Sequence, residues 1–150
     1  MRTLYQPERT AEVKQRIAGL KPTSPRQWGK MNVGQALAHC SAAMEMAVGV
    51  NNPSRMFIGR LLGGLVKSRV LKDEEPMRRN APTAPTLVVA DERNLDKEKE
   101  RLTGLIDRFA SAGPQGCTTH PHTFFGKLTP EEWARMMYKH LDHHLRQFGA

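Results

Sequence analysis

The amino-acid sequence predicts an all-α protein built as a helical bundle, and three observations support this prediction. Apolar side chains recur at helical spacing in five separate segments. Two segments open with residue patterns that cap helix N-termini, and runs rich in proline or glycine separate the segments. The chain has 150 residues, 39% of them hydrophobic and 25% charged, which is the size and composition of one globular domain. We therefore expect a single domain over residues 1–150.

The first two predicted helices cover about residues 8–20 and 32–48. Apolar residues recur at helical spacing in the first, and Pro22 and Pro25 follow it, because proline cannot continue the hydrogen-bond ladder. The second begins with Asn32 to Gln35, the pattern of a capping box. It is apolar or small on nearly every side, which predicts a buried helix.

A third helix is predicted at about residues 55–70, followed by a long connection over residues 73–90. The helix combines apolar and basic residues, and Gly63 and Gly64 favour a bend, since each glycine costs about 1 kcal/mol relative to alanine. The connection holds three prolines, and we expect residues 87–89 to lie extended over the bundle. Loops of this length in a compact domain are usually functional or tightly packed.

Two further helices are predicted at about residues 92–112 and 129–148. The last one has the clearest start, because Thr129 is a good N-cap, Pro130 suits the first helical position, and Glu132 completes a capping box. The expected architecture is therefore four antiparallel main helices with an additional basic helix inserted between the second and the third.

The net charge of +8 predicts a surface that attracts anionic partners. No zinc-finger spacing, aromatic RNA-binding motif or glycine-rich phosphate loop is present, so we expect no specific contact with nucleic acid. An anionic small molecule and a membrane surface both remain open as partners. A basic face that meets only solvent is the simpler alternative.

The sequence favours a cytoplasmic location. The first residues lack the apolar core of a secretory signal, and no run reaches the roughly 20 apolar residues that a membrane-spanning helix needs. Cys40 and Cys117 form no Cys-x-x-Cys motif and no disulfide framework. We expect both thiols to be unpaired, as in a reducing compartment.

Three histidines are candidate metal ligands. His140 and His144 stand four residues apart in the predicted last helix, so they share one face with Cβ atoms about 5–6 Å apart. His39 lies in the predicted buried helix, where an imidazole is costly unless it is bonded. Three such rings form a facial set that leaves coordination positions open for water or substrate. A hydrogen-bonded core histidine is the alternative for His39 alone.

The remaining histidines are weaker candidates. His143 is offset by about 100° from His144 on a helix, which predicts a place at the edge of the face. His120 and His122 flank Pro121 in a loop, where we expect exposed rings. The glutamate of a His-Glu-x-x-His motif is absent and no general base stands out, so the catalytic residues stay unknown.

The chain resembles the DinB-like (YfiT-like) metal-binding superfamily. The resemblance rests on Trp28 ahead of the helix with His39, and on a terminal helix that runs from Trp133 to Phe148 with a His-x-x-x-His spacing. The Phe-Gly-Lys-Leu-Thr-Pro-Glu-Glu-Trp run and the His-Leu-x-His-His-x-x-Gln-Phe stretch are similar to an uncharacterised bacterial branch, a domain of unknown function. The resemblance covers essentially the whole chain and is least characteristic over residues 53–90.

This resemblance implies a DinB-like four-helix bundle with a metal triad, one histidine from the second helix and two from the last. His39, His140 and His144 fall on those positions. The implied cofactor is a divalent metal ion such as zinc, nickel or iron, whose identity the sequence leaves open. Some relatives use the metal to activate a low-molecular-weight thiol for transfer or isomerisation, and others are regarded as hydrolases.

Two functions of different class follow from these observations. The first is a metal-dependent thiol transferase or hydrolase acting on a small anionic or thiol-bearing substrate. The second is a non-catalytic binding module whose basic amphipathic helix at residues 55–70 contacts a partner or a membrane surface. A homodimer is left open in both cases.

Overall fold

A computed structural model describes residues 1–150 and gives an all-α structure of five helices with no strands. The helices are α1 (Pro7–Gly19), α2 (Val33–Ala47), α3 (Phe57–Leu71), α4 (Leu95–Ala112) and α5 (Pro130–Gln147), with short 3-10 turns at Pro85–Leu87 and Pro114–Gly116. The predicted all-α class is confirmed, and each predicted helix is present with slightly shifted ends. None of the helices is both long and apolar enough to cross a membrane.

Side-chain caps fix where three of the helices begin. In α2 the Asn32 side chain accepts a hydrogen bond from the backbone N–H of Gln35, and the Gln35 side chain accepts one from that of Asn32. Thr129 and Glu132 form the same reciprocal pair at the start of α5. Helix α4 begins a few residues later than predicted because Asn94 caps it, accepting from the backbone N–H three residues on.

Four of the helices surround one hydrophobic core. Helix α2 packs against α4 and α5, and α1 packs against the same two helices. The largest fully buried side chains come from these helices and the segment before α1: Leu4, Val13, Ile17, Met44, Leu102, Ile106, Phe109, Trp133, Met137, Tyr138, Leu141 and Leu145. Helix α2 buries mostly small residues on nearly every side, as predicted, and this places its one histidine inside the protein.

Helix α3 lies at the edge of this core: Leu71 at its end is part of the core, and the helix rests on α5 and on the loop that precedes α5. Two of its three glycines face the loop: a Cβ atom on Gly59 would lie 2.6 Å from the Phe124 carbonyl oxygen, and one on Gly63 would overlap the same oxygen. The Met56 N–H also donates to the Thr123 carbonyl at 2.9 Å. The bend predicted at the glycine pair is not found, because the helix runs unbroken and Gly63 serves a close approach of two backbones.

The long connection between α3 and α4 differs from its prediction. We expected residues 87–89 to lie extended; Leu87 instead ends a 3-10 turn at Pro85–Leu87, because proline at its first position favours a turn, whereas Val88 has the expected extended backbone. The Leu87 side chain is buried, Val88 is 60% exposed and Val89 is half-buried, so Leu87 is the main anchor of the stretch. The turn packs against α2 and brings a backbone carbonyl to His39.

Candidate metal centre

Helices α2 and α5 bring His39, His140 and His144 together inside the protein. One ring nitrogen from each histidine lies within 4.8 Å of one from each of the others. The Nε2 atoms of His39 and His140 are 2.9 Å apart, and all three pairs of ring centroids are 4.8 Å apart. In a tetrahedral zinc site with bonds of about 2.0–2.1 Å, ligand nitrogens lie about 3.3–3.4 Å apart. The His39–His140 pair is therefore slightly closer than in a zinc site, while the three ligand atoms as a set lie within 4.8 Å of one another, so small side-chain shifts would be needed to bind an ion.

Burial keeps the three rings neutral. All three are less than 10% exposed: His39 is 4% exposed, His140 9% and His144 9%. Desolvation lowers the pKa of His39, and it lowers the pKa of His140 well below its usual range, with His144 and His39 adding to the effect. For His144, burial and then the His39 ring lower the pKa to about 3. Neutral imidazole is the form that binds a metal ion.

Hydrogen bonds to the protein fix the tautomers of two of the rings. The Nδ1 atom of His39 donates to the Leu87 carbonyl oxygen at 2.8 Å, since a carbonyl can only accept. The Nδ1 atom of His144 donates at 2.8 Å to the Oε1 atom of Gln147. A neutral ring that carries its proton on Nδ1 presents a bare Nε2. Both rings thus offer Nε2 as a ligand atom, in the way that outer-shell partners orient metal-binding histidines.

Gln147 connects this histidine to the segment that precedes α2. Its Nε2 atom donates to the Trp28 carbonyl oxygen at 2.8 Å, which leaves Oε1 free to accept from His144. Its own backbone carbonyl accepts from the Gln27 N–H at 2.8 Å. The side chain is 3% exposed, so the amide is held from both ends.

The donor set fits a cation. His39 and His144 each carry a bare Nε2, and the only ring proton that His140 can offer to His39 is the one on its own Nε2. That N–H pairs with His39, so Nε2 of His144 has no hydrogen-bond partner, and a largely buried polar atom without a partner is costly. The Nδ1 atom of His140 has no hydrogen-bond partner either. A metal ion bound to the Nε2 atoms satisfies these lone pairs together, so the group can hold one.

Of the other histidines, His143 lies where the helix geometry predicts, at the edge of the cluster. Its ring is 5.0 Å from that of His144 and 5.3 Å from that of Trp28, measured between centroids. The Arg79 guanidinium lies 4.3 Å above the Trp28 ring. This half-buried group of an aromatic, an imidazole and a cation borders the candidate centre.

The prediction that His122 is exposed is wrong. The ring is 7% exposed and packs against Phe125 and Trp133, with centroids 4.8 Å and 5.3 Å away. Its Nδ1 atom accepts from the backbone N–H groups of Phe124 and Phe125, which turns the loop inward. Burial lowers its pKa to about 4. His120 is partly exposed, and its Nδ1 atom bonds the neighbouring Pro121 carbonyl.

Sequence reasoning missed the groups that orient the triad. The spacing of His144 and Gln147 was a usable signal, because residues three apart on a helix are neighbours. The carbonyl groups of Leu87 and Trp28 left no signal, since every residue has one and only the folded chain selects among them.

Comparison with known proteins gives one family. The family described as "Protein of unknown function (DUF1569)" matches residues 3–150. The searches of curated proteins and of solved structures give no match.

Proposed function

The chain belongs to the DUF1569 family, whose function is unknown, and we propose that it is a cytoplasmic, bacterial metalloprotein with a DinB-like four-helix bundle. In this proposal residues 1–150 form a single domain, α1, α2, α4 and α5 are the four main helices, and α3 is the inserted helix. His39, His140 and His144 hold one divalent metal ion. The ion is zinc, nickel, iron or a similar metal, all of which imidazole ligands suit.

One observation carries the metal assignment. Three buried, neutral imidazoles converge from two helices. In two of them Nδ1 donates to a protein acceptor, so the Nε2 atom of each carries a free lone pair that can bind a metal ion. A core histidine without a metal role needs one satisfied hydrogen bond at each nitrogen. In the cluster Nδ1 of His140 has no partner, whereas Nδ1 of His39 bonds Leu87 and its Nε2 bonds His140, so the metal assignment rests on the three rings together and not on His39 alone.

The chemistry that suits this site is activation of a nucleophile. A divalent ion, when bound, lowers the pKa of a coordinated water or thiol and so supplies a nucleophile near neutral pH. The chain provides three ligands and no carboxylate or thiol in the group, so further coordination positions remain for an exogenous ligand. Ala36 and Ala43 lie one turn to either side of His39 on α2, and both are small residues packed in the core.

We infer a small anionic or thiol-bearing substrate. The chain has a net charge of +8, and Arg79 lies on Trp28 at the border of the cluster. A cation near the entrance to a site raises the local concentration of anions. The proposed reaction class is thiol transfer or hydrolysis, in which Arg79 attracts the substrate and the triad holds the metal.

A screen of thiols and electrophiles tests this function. Zinc- and nickel-loaded protein is incubated with low-molecular-weight bacterial thiols and electrophilic acceptors, and with ester and amide substrates, beside the His140→Ala and His143→Ala variants. We expect turnover or thiol binding in the wild type and His143→Ala, and its loss in His140→Ala. Equal behaviour of wild type and His140→Ala would leave the enzyme without support and favour the non-catalytic binding module.

A further inference from the structure

The first half of helix α3 exposes its large apolar side chains to solvent, whereas Val70 and Leu71 at its end pack on the core. Most of the large apolar residues that are exposed in the whole protein belong to this helix: Phe57 at 77%, Ile58 at 46%, Leu61 at 63%, Leu62 at 45% and Leu65 at 77%. These five residues follow i, i+4 and i+8 spacing in two adjacent rows, so they share one face. We call this the α3 apolar face. Contiguous exposed apolar surface of this kind marks an interaction site.

The orientation of α3 is imposed by its inner side. Gly59 and Gly63 are buried against the Phe124 backbone, and no larger residue fits at those positions. Rolling the helix to bury Leu61 would turn these glycines away and leave a gap between the helix and the loop. The α3 apolar face is therefore held outward by the same close approach that attaches the helix to the protein.

The charges on α3 indicate the partner. The helix contains no acidic residue. Arg60, Arg69 and Lys72 are exposed and make no salt bridge, whereas Lys67 is paired with Glu132 at 3.1 Å. On a helical projection Arg69 and Lys72 fall on the same side as Leu61 and Leu65, one to three turns further along. The solvent-facing side of α3 is therefore apolar over residues 57–65, its apolar half, and basic at Arg69 and Lys72.

We propose that α3 docks onto an anionic lipid surface, with the α3 apolar face entering the headgroup boundary and its free cations meeting lipid phosphates. Surface-lying helices combine large apolar residues with lysine and arginine in this way. Anionic leaflets attract each basic residue near the surface. The apolar half spans residues 57–65, about 12 Å at 1.5 Å per residue, which suits a helix that lies in the interface.

A second copy of the chain fits this face less well. A two-fold pairing of α3 helices through this face would leave the unpaired Arg69 and Lys72 of each copy without a counter-charge from the other helix, because neither helix has an acidic residue. An anionic bilayer supplies both the apolar phase and the opposite charge.

Vesicle co-sedimentation tests the proposal with apolar and charge variants of tag-free protein. We expect binding to vesicles of phosphatidylcholine with phosphatidylglycerol and at least about tenfold weaker binding to phosphatidylcholine alone. The double variant Phe57→Ser/Leu65→Ser removes two side chains that are each 77% exposed, so the fold is retained and binding falls at least about tenfold. Val50→Ser, at a 56% exposed apolar position outside α3, is the matched control and keeps full binding.

Two double variants that each remove two positive charges distinguish binding through α3 from a general attraction of the basic protein to anionic vesicles. Arg69→Gln/Lys72→Gln and Lys21→Gln/Arg108→Gln remove the same charge from exposed positions, the second pair outside α3. We expect about tenfold weaker binding for the first pair and little change for the second. Equal losses in the two pairs, unchanged binding of the Phe57→Ser/Leu65→Ser variant, or no binding to anionic vesicles would each overturn the proposal. A concentration-dependent dimer that the apolar variant abolishes, without vesicle binding, would assign the face to a second copy instead.

Discussion

The α2–α5 interior and the outer side of α3 distribute polar and apolar groups in opposite ways. Between α2 and α5, three imidazoles lie in the core with less than 10% of their surface exposed. On α3, large apolar side chains meet solvent, with Phe57 and Leu65 each 77% exposed. Both arrangements cost free energy in an isolated domain. Both are therefore the places where we propose that a ligand or partner supplies what the fold leaves unsatisfied.

The two regions also differ in what holds them in place. The triad sits on two capped helices that share the hydrophobic core, with Gln147 and the Leu87 carbonyl as orienting groups. Helix α3 is held by glycine contacts to one loop, by Met56 and by Lys67, and at its end by Leu71, which is buried in the core. The triad thus lies between packed helices, whereas α3 is attached at the edge of the core.

The largest expected effect is the difference in lost unfolding free energy between a core leucine and a leucine of the α3 apolar face. Leu102→Ala removes a fully buried side chain of α4 and should cost about 2–5 kcal/mol of unfolding free energy. Leu61→Ala removes a side chain that is 63% exposed and should change it by less than about 0.5 kcal/mol. Urea denaturation followed by circular dichroism measures both. A loss above 2 kcal/mol for Leu61→Ala would mean that α3 packs with this face inward.

Acid should weaken the loop that carries α3. The folded protein holds His122 neutral, since burial lowers its pKa from 6.5 to about 4, while the unfolded chain takes up a proton near 6.5. The unfolding free energy is therefore unaffected by this group above pH 6.5, and protonation of His122 in the unfolded chain lowers it by roughly 3 kcal/mol in total as the pH falls to 4. In His122→Asn an amide oxygen still accepts from the two backbone N–H groups but does not titrate.

This variant should therefore lose less stability than wild type between pH 6.5 and pH 4.5, even if it is less stable at pH 7. Unfolding free energies from urea titrations at several pH values give the two slopes. Parallel curves for wild type and variant would show that His122 contributes nothing to the acid sensitivity.

Substitutions at the adjacent glycines Gly63 and Gly64 test how α3 is attached to the loop. A Cβ atom on Gly63 would overlap the Phe124 carbonyl oxygen, so Gly63→Ala should cost about 1–3 kcal/mol or release α3. Gly64 has nothing within 4 Å of such an atom, and Gly64→Ala should stabilise the protein by up to about 1 kcal/mol through helix propensity. Thermal unfolding and limited proteolysis near α3 compare the two. Similar effects at both positions would refute the close approach at Phe124.

The sequence predicted the parts of this structure that depend on local pattern. Helix positions followed from apolar spacing and from Asn32 and Thr129 as caps, and the pairing of His140 with His144 followed from their spacing. The inward turn of His122 was missed, because two backbone N–H groups rather than any side-chain pattern bind its ring. The sequence offered an amphipathic α3 that contacts a partner as one of two alternatives but could not decide its orientation, since the Phe124 carbonyl that selects the glycines lies far away in sequence.

The metal content of tag-free protein tests the central claim most directly. After incubation with zinc and desalting, elemental analysis should find roughly one ion per chain in the wild type, as expected for a single three-histidine site. His143→Ala should retain it, and His140→Ala should lose it while circular dichroism shows the helical content unchanged. Wild-type protein that retains no metal, or equal losses in His140→Ala and His143→Ala, would contradict the assignment of His39, His140 and His144 as ligands.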